Sequence, residues 1–513
     1  MMYRPTRFRS LLIRLASLFF LTYMLISPHF IPSTGGKIGQ SPSAQQPQSP
    51  EGYLGPLQPI PSGPAVASAS GPLSTLLASA LPNVRINDKT DDSPDQSQSE
   101  TTIAVDPTNP LSLVGGFNDC RGFFFPDRNG ISGIGYSTDG GVTWTPIPTG
   151  LPKANAADFG TRGDPSIDVD NDGNFYYASL YEQAGNPAFN VSVHKGRFTG
   201  GVLTFDTPTF ATNFTSGSGA DKDHVGVDKN NGFIYVSYTN FSASGNGQIE
   251  VVRSTDGGQT WSTPVVIASA SRTVHQGSLP RVGPDGEIYV VWEDGFAQGT
   301  ARSIHISKST NWPRFGHDTK IADITAVGNP VFNSRINEFP TMAIDTTSGP
   351  ERGRVYVAWN DGSLGGAGMI PAILMSHSAD GKKWSDPIEL NDDGDPSATG
   401  TAHWFPWLAV DPSGTVNVIF YDRRLSGSQP DLTDVFAAQF TVSGGLQPNQ
   451  RITNLSFSMN VPSACTPNFG DYNGAAAGAA NIYAIWGDGR EGNPDTYAGG
   501  LGAGAAATTA VHQ

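Results

Sequence analysis

One pattern recurs seven times along this 513-residue chain and limits its fold more than any other feature. Each copy has a short apolar strand that ends near Asp, then a turn, then a strand rich in Tyr, Val and Trp. Neighbouring copies lie 57 to 67 residues apart, with the turns aligned at Asp106, Asp170, Asp228, Asp285, Asp345, Asp411 and Gly478. A repeat of this length in an all-β pattern predicts an array of similar sheets.

Each copy continues with two more strands. Examples are IEVVRS (249–254) for the third strand and STPVVIA (262–268) for the fourth. Four short antiparallel strands in each repeat are typical of a blade. The sequence therefore predicts an all-β fold, a seven-bladed β-propeller of four-stranded antiparallel blades.

The last copy has no fourth strand of its own. After Thr496 the chain is rich in Gly and Ala, and we expect it to pack poorly. The segment NVRIND (83–88) resembles the outer strands PIELND (387–392) and QRITNL (450–455). We therefore predict that 83–88 is the outer strand of blade seven, so that an N-terminal strand closes the ring and leaves no open end.

Composition divides the chain into four parts. Residues 1–32 carry four arginines before an apolar run (15–26), which indicates a signal peptide or membrane anchor. Residues 33–80 are a Pro-, Ser-, Gly- and Gln-rich stretch that predicts a disordered linker. The propeller is expected over 81–500, followed by a Gly/Ala-rich tail at 501–513. The predicted location is secreted, or anchored at the cell surface through the N-terminal segment alone.

The overall charge excludes some partners. With 31 basic and 46 acidic residues the formal net charge is -15, and no basic stripe is present. We expect no nucleic-acid binding, because phosphate neutralisation needs clustered Lys and Arg. No His or Cys spacing suits a metal, and the DNDG turn at 170–173 is shorter than a calcium loop. We expect a monomer without a cofactor and leave calcium open.

The chain has two cysteines. Cys120 follows the second strand of blade one, and Cys465 precedes the first strand of blade seven. Their loops belong to one face of two blades that meet at the ring closure. An exported protein can form disulfides, so we predict a Cys120–Cys465 bridge, with two unlinked buried thiols as the alternative.

A tight turn that ends in Trp occurs three times, as STDGGVTW (137–144), STDGGQTW (254–261) and the shorter SADGKKW (378–384). It resembles the Asp-box of the sialidase-like (BNR) repeat families. We expect a structural role, in which Asp caps its own turn, Gly adopts a positive φ and Trp packs between strands. Blade four keeps only a degenerate remnant, NWPRFG (311–316). The residues of these predicted turns are Ser137, Asp139, Gly141, Trp144, Ser254, Asp256, Gly258, Trp261, Ser378, Asp380 and Trp384.

Polar residues gather where the chain enters the first strand of each blade. First strands line the channel of a propeller, so these side chains should converge on one mouth, which is a default ligand site. They are Glu100, Arg162, Asp164, Asp221, Asp223, His224, His275, Arg281, Glu338, His403, Asp471 and Tyr472. The acids after second strands recur from blade to blade, which favours loop capping for Asp294, Asp361, Asp422 and Asp488.

The resemblance to sialidases implies a set of roles. Sialidases hold a sugar carboxylate with three arginines and use a Tyr nucleophile, an activating Glu and an Asp acid/base. The corresponding candidates are Tyr472, Glu338 and Asp164 for catalysis, and Arg162, Arg281, Arg423, Arg490 and His403 for substrate binding. The Arg-Ile-Pro signature that opens sialidase catalytic domains is absent, and sialidases have six blades.

Three functions follow from these observations. The first is an exported sialidase-like glycoside hydrolase that acts on a sialoside or other acidic glycan at the top of the channel. The second is a non-catalytic cell-surface propeller that binds a polysaccharide or a protein partner. The third is a polysaccharide lyase in which Tyr472, His275 or His403 abstracts a proton. The sequence does not decide whether the chain is an enzyme.

Overall fold

The computed structural model describes residues 80–90, 96–215, 218–242, 247–269, 274–296, 302–328, 336–429, 431–462 and 469–502. The predicted signal or anchor (1–32), nearly all of the predicted linker (33–80) and most of the predicted tail (501–513) lie outside these residues. Within the described part of the chain, no helix is long and apolar enough to cross a membrane.

The described residues form seven antiparallel sheets, which are the blades of a propeller. In chain order β1 (Ala80–Arg85) comes first and belongs to the seventh blade. Blade one contains β2 (Gln98–Val105), β3 (Leu113–Asp119), β4 (Ser132–Ser137) and β5 (Thr145–Pro146). Blade two contains β6 (Gly160–Thr161), β7 (Ser166–Val169), β8 (Phe175–Glu182), β9 (Asn190–Thr199), β10 (Val202–Phe205) and β11 (Thr209–Phe210). Blade three contains β12 (Ser218–Val227), β13 (Ile234–Ser242), β14 (Gly247–Ser254) and β15 (Val265–Ala268).

Blades four to seven continue the same order. Blade four contains β16 (His275–Val282), β17 (Ile288–Asp294), β18 (Arg302–Ser309) and β19 (Thr319–Ile324). Blade five contains β20 (Thr341–Ile344), β21 (Val355–Asp361), β22 (Ala372–Ser378) and β23 (Ile388–Glu389). Blade six contains β24 (His403–Val410), β25 (Val416–Asp422), β26 (Leu432–Thr441), β27 (Gly445–Leu446), β28 (Gln450–Arg451) and β29 (Phe457–Ser458). Blade seven contains β30 (Gly474–Ala477), β31 (Asn481–Asp488) and β32 (Asp495–Gly502). Helical turns are Cys120–Phe123 and Gly366–Gly368 (3-10) and α1 (Pro396–Thr399).

The ring closes as predicted. Strand β1 pairs antiparallel with β32, with Val84 opposite Ala498, so the N-terminal strand completes blade seven. The expectation that the chain after Thr496 packs poorly is wrong, because β32 is almost entirely buried through Leu501. Its glycines permit this close packing, since a Cβ on Gly500 would lie 1.9 Å from the Ile482 carbonyl oxygen.

The second strand of each blade explains the recurring Tyr, Val and Trp. It lies between the channel strand and the third strand, and both of its faces meet neighbouring blades. Its residues are therefore buried on both sides, as in β21, where every residue from Val355 to Asp361 is buried. The tryptophans at equivalent places in three blades are fully buried: Trp292, Trp359 and Trp486. Burial of these large rings between sheets is a main favourable contribution to the ring.

The first strands carry an irregularity that the sequence did not predict. The register shifts between Ser99 and Thr102 in β2, and equivalent shifts occur in β12, β16 and β24. These β-bulges place side chains in the left-handed region, where residues other than Gly are uncommon. The residues other than Gly at these first-strand positions are Glu100 (φ 48°), Asp164 (φ 54°), Lys222 (φ 51°) and Phe405 (φ 53°).

Candidate functional site

The Trp-ending turns lie between third and fourth strands, on what we call the turn face. In the turn 254–261, Ser254 Oγ accepts a hydrogen bond from Gly258 N at 2.9 Å. The Asp256 carboxylate accepts one from Thr260 N at 2.9 Å. Hydrogen bonds from the Thr260 hydroxyl and backbone lower the pKa of Asp256 to about 2. Gly258 has a φ of 86°, and Trp261 packs against a buried cluster. The turn chemistry accounts for each of these residue types.

The other two turns repeat these contacts. Gly141 N and Thr143 N donate to Ser137 and Asp139, both at 2.9 Å. In the shortened copy Gly381 N donates a hydrogen bond to Ser378 Oγ, and Lys383 N donates one to Asp380 Oδ1, both at 2.8 Å. Trp144 and Trp384 pack against buried clusters.

Cys120 lies in the turn after β3 and is disulfide-bonded. The chain has one other cysteine, Cys465, which lies outside the described residues. The predicted pairing of Cys120 with Cys465 stays a prediction.

The acids that follow second strands cap their loops. The Asp488 carboxylate accepts hydrogen bonds from Arg490 N and Nε, both at 2.9 Å. Arg490 also donates to Asn454 Oδ1 at 2.8 Å, beyond the outer strand of blade six, and lies 4.4 Å from the Tyr497 ring. The same Asp-x-Arg arrangement occurs at Asp119 with Arg121 and at Asp422 with Arg424. Arg490 therefore links two blades.

The other predicted substrate-binding arginines have separate surroundings. Arg162 pairs with Glu182 and lies 3.6 Å from the Phe159 ring centre. Arg281 Nη1 donates to the Pro280 carbonyl at 2.8 Å. Arg423 is buried, which lowers its pKa. The contacts of Arg162, Arg281 and Arg490 are thus with three different sets of groups, and the structure does not bring them together as a clasp.

His403 is fully buried beside two carboxylates. Its Nε2 lies 3.1 Å from Asp393 Oδ1 and 3.5 Å from Asp422 Oδ2. These three side chains have ligand atoms within 4.8 Å of one another, a spacing that a metal ion could use. However, Arg424 Nε lies 2.7 Å from the same Asp422 oxygen. A guanidinium already supplies positive charge there, so the cluster suits an ion-pair network better than a metal site.

The predicted catalytic pair of Glu338 and Tyr472 is not formed. Glu338 pairs with Arg302 and accepts a hydrogen bond from Val327 N at 2.7 Å. The Tyr472 hydroxyl donates instead to the Pro165 carbonyl at 3.1 Å. Burial raises the pKa of Tyr472 well above its usual value, whereas an activated nucleophile needs the opposite shift.

The third predicted catalytic residue, Asp164, belongs to a cluster around Lys222. The Lys222 ammonium lies 3.2 Å from Glu100 Oε1, 3.2 Å from Asp164 Oδ1 and 2.7 Å from Asp471 Oδ2. Lys222 N also donates to Asp164 Oδ2 at 2.8 Å. All four side chains are buried, and they come from blades three, one, two and seven. We call this set the Lys222 lock, because one cation joins four blades at the channel.

Carboxyl groups outnumber cations around this lock. Burial raises the pKa of Glu100 well above its usual value, whereas Lys222 lowers that of Asp164 in spite of burial. Burial and the nearby Asp164 raise the pKa of Asp221 to about 7. The Asp223 carboxylate is fully buried with no hydrogen-bond partner among the described residues, and burial raises its pKa strongly. The surroundings therefore raise the pKa of Glu100, Asp221 and Asp223 and lower that of Asp164.

A cavity of about 20 Å³ lies beside the lock, lined in part by His224, Trp407, Asp471 and Tyr472. The His224 ring centre is 5.2 Å from that of Tyr472 and 5.8 Å from that of Trp407. Burial lowers the pKa of His224 to about 3, so the ring is neutral at physiological pH. A cavity of this volume holds about one water molecule and is far too small for a sugar ring.

The structure brings Glu100, Asp164 and Asp471 of the predicted set together around Lys222, which the sequence analysis did not single out. The signal was present, because the same six-residue offset before the aligned turn aspartate holds for Glu100, Asp164 and Lys222. Three other residues of the predicted site form their bonds elsewhere: Glu338, His403 and Arg490.

No family model matches the chain, and no curated protein matches it significantly. Solved structures do match. A protein of unknown function from Dyadobacter fermentans is 14% identical over 82% of this chain and 97% of its own, with a TM-score of 0.44. A Hadza microbial sialidase is 13% identical over 76% of each chain, with a TM-score of 0.43. An alpha-L-arabinofuranosidase of Fusarium graminearum is 14% identical over 71% of this chain and 99% of its own, with a TM-score of 0.46. Sialidases are thus among the structures that this chain distantly resembles, as the sequence predicts, and these likenesses carry no argument about function.

Proposed function

We propose that this chain is an exported propeller that binds glycans and does not hydrolyse them. In this proposal the Lys222 lock closes the channel. The observation that carries this proposal is the commitment of Glu100, Asp164 and Asp471 to one buried ammonium. A buried ion pair of this kind specifies how blades meet, because removing one partner leaves uncompensated charge in the interior.

Hydrolysis through the predicted residues needs groups that are free to meet a substrate. A general acid must come within about 3 Å of the glycosidic oxygen, and the sugar ring needs room beside it. Here the Tyr472 hydroxyl is bonded to a backbone carbonyl, and the neighbouring cavity measures about 20 Å³. The glycan class of ligand comes from the Asp-box resemblance and from the export predicted by residues 1–32.

One observation favours a second candidate, a glycoside hydrolase that uses Glu100 and Asp164. The surroundings raise the pKa of Glu100 and lower that of Asp164. Two carboxyl groups with pKa values driven apart are the arrangement that acid–base catalysis requires. The experiment below therefore has to distinguish glycan binding from glycan hydrolysis.

The test uses the purified full chain on a panel of sialosides, arabinofuranosides and uronate polysaccharides. Sugar release is measured by reducing-end assay, and binding to the same glycans by calorimetry. We expect binding without release, and affinities of Tyr472→Phe and Glu338→Gln within twofold of the unsubstituted chain. Sugar release that disappears in a folded Glu100→Gln variant would instead establish the hydrolase. A product that absorbs in the ultraviolet would identify the lyase.

A further inference from the structure

A pair of side chains recurs on the turn face in consecutive blades. A Tyr on the second strand stands opposite a cation on the third strand, as in Tyr176–Lys195, Tyr235–Arg253 and Tyr289–Lys308. In two of these blades the tight glycine of the next blade's turn packs against the Tyr ring. A Cβ built on Gly258 would lie 3.9 Å from Tyr176, and one on Gly381 would lie 2.7 Å from Tyr289. In both blades the turn therefore lies directly against the Tyr ring.

The contact between blades three and four is different. Its turn is the degenerate segment 311–316, and Trp312 stands where an intact turn would bring its glycine. The Trp312 ring centre lies 5.6 Å from that of Tyr235. Beside it is a cavity of about 220 Å³, whose polar lining includes Asp228, Asn231 and Arg253. The larger of the two cavities described here thus opens beside a degenerate turn.

We call this cavity the Arg253 pocket, because in the described part of the chain Arg253 has aromatic neighbours there in place of an ion-paired carboxylate. Its guanidinium lies 5.1 Å from the ring centres of both Phe233 and Trp312. Among the described residues no carboxylate lies within ion-pair distance of it, whereas Lys308 at the equivalent place is 3.8 Å from Glu287. Both rings are close enough for a cation–π contact with the guanidinium. Arg253 makes a side-chain hydrogen bond to Tyr235. A guanidinium has five N–H donors, so the others remain for a ligand that enters the pocket.

We propose that the Arg253 pocket binds one uronate unit of an acidic glycan. The fixed guanidinium would take the sugar carboxylate through paired hydrogen bonds, the geometry in which Arg surpasses Lys. The side chains of Asn231 and Asn311 offer donors and acceptors for ring hydroxyls, and both line the pocket. This inference rests on the proposed glycan-binding function and adds the place and the class of sugar.

Two properties of the pocket narrow the ligand. Drug-sized ligands occupy pockets of about 300–1,000 Å³, so about 220 Å³ suits a single sugar ring better than an oligosaccharide. The buried Asp228 carboxylate also lines the pocket and accepts hydrogen bonds from Asn230 N at 2.9 Å and Asn231 Nδ2 at 2.7 Å. This second charge favours a ligand with hydroxyl donors beside one carboxylate, and disfavours a dianion such as inorganic phosphate.

The experiment is a calorimetric titration of the full chain with trigalacturonate, with neutral galactotriose, and with inorganic phosphate. Arg253→Met keeps an apolar stem beside the two rings and removes the donors, and Arg253→Lys keeps the charge without the paired geometry. Lys195→Met is the matched control, because Lys195 faces Tyr176 in the same register but beside an intact turn. Thermal unfolding confirms that each variant is folded.

We expect trigalacturonate to bind at least tenfold more tightly than galactotriose or phosphate. Arg253→Met should weaken it at least tenfold, Arg253→Lys less, and Lys195→Met less than twofold. If Arg253→Met binds trigalacturonate as tightly as the unsubstituted chain, the proposal that the pocket binds a uronate is wrong. It is also wrong if the unsubstituted chain does not bind trigalacturonate. If galactotriose or another neutral glycan binds all variants equally, the proposed role of the Arg253 pocket is wrong, but the glycan-binding proposal stands. If sugar is released, the glycan-binding proposal fails independently of the pocket.

Discussion

Lys222 and Arg253 are two largely covered cations on the same blade, and they have opposite surroundings. Lys222 has three carboxylates within 3.2 Å, beside a cavity of about 20 Å³. Arg253 has two aromatic rings within 5.1 Å of its guanidinium, and its cavity measures about 220 Å³. Burial of a charge is costly unless it is paired. The pairing of Lys222 is complete within the protein and stabilises the ring, whereas Arg253 is completed by a ligand.

The largest expected effect is on folding, from loss of the lock. Lys222→Met leaves Glu100, Asp164 and Asp471 buried without their cation. We expect the free energy of unfolding to fall by about 3–5 kcal/mol, the usual cost of removing one partner of a buried ion pair. Urea unfolding of the full chain measures this. A Lys222→Met midpoint equal to that of the unsubstituted chain would show that the lock contributes nothing.

The second effect compares an intact turn with the degenerate one. Asp256→Ala removes the carboxylate that accepts hydrogen bonds from Gln259 N and Thr260 N. We expect a loss of about 1 kcal/mol, similar to the loss of a helix cap. Asn311→Ala, at the corresponding turn of blade four, should cost less than about 0.5 kcal/mol. Thermal unfolding of both variants checks this, and equal losses would mean that blade four keeps a working turn.

The third effect is a pH dependence of the acids that surround the Lys222 lock. The pKa of Asp221 is about 7 in the folded chain, well above its unfolded value, so the folded state binds an extra proton between about pH 4 and 7. The contribution of Asp221 to stability therefore increases as the pH falls from 8 towards 5. Unfolding midpoints across this range should show a steeper rise on acidification than in Asp221→Asn. Identical slopes in the two proteins would contradict the account.

Asp223→Asn tests the same group of acids at two pH values. Its carboxyl is fully buried without a partner among the described residues, so removal of the ionisable group should help most where the carboxylate forms. We expect a gain in stability at pH 8 that becomes smaller at pH 5, because the penalty for a raised carboxyl pKa grows as the pH rises above the unfolded value. A loss of stability at pH 8 would show that the carboxylate has a partner.

The smallest expected effect on stability belongs to Arg253. Arg253→Met removes no ion pair among the described residues, and the new side chain still packs beside Phe233 and Trp312, so we expect a change below about 0.5 kcal/mol. The same urea unfolding measures it. A loss as large as that of Lys222→Met would erase the difference between the two cations.

Much of the fold could be predicted from sequence because its signals are local. Turn residues and alternating strands repeat within each sixty-residue unit, and the outer-strand motif at 83–88 reveals the closure. The structure places this strand at Ala80–Arg85, three residues earlier. The Gly-rich end of β32 was misjudged, because its burial depends on close approach to the backbone of β31 and not on side-chain volume.

The candidate sites were harder to predict. Lys222 and Glu100 are 122 positions apart, and only the ring and its bulges bring them together. The degenerate turn at 311–316 was visible in the sequence, but the cavity beside it depends on how far apart blades three and four stand. The predicted sialidase roles of Asp164, Glu338 and Tyr472 came from resemblance, and residue type does not reveal which partner each side chain meets.

The most direct test of the account is an experimental structure of the full chain crystallised with trigalacturonate. We predict sugar density on the turn face, with a carboxylate paired to the Arg253 guanidinium beside Trp312, and an undisturbed Lys222 lock. Sugar density on the channel axis, against Trp407 and Tyr472 with the contacts of Lys222 to Glu100 and Asp164 broken, would contradict it.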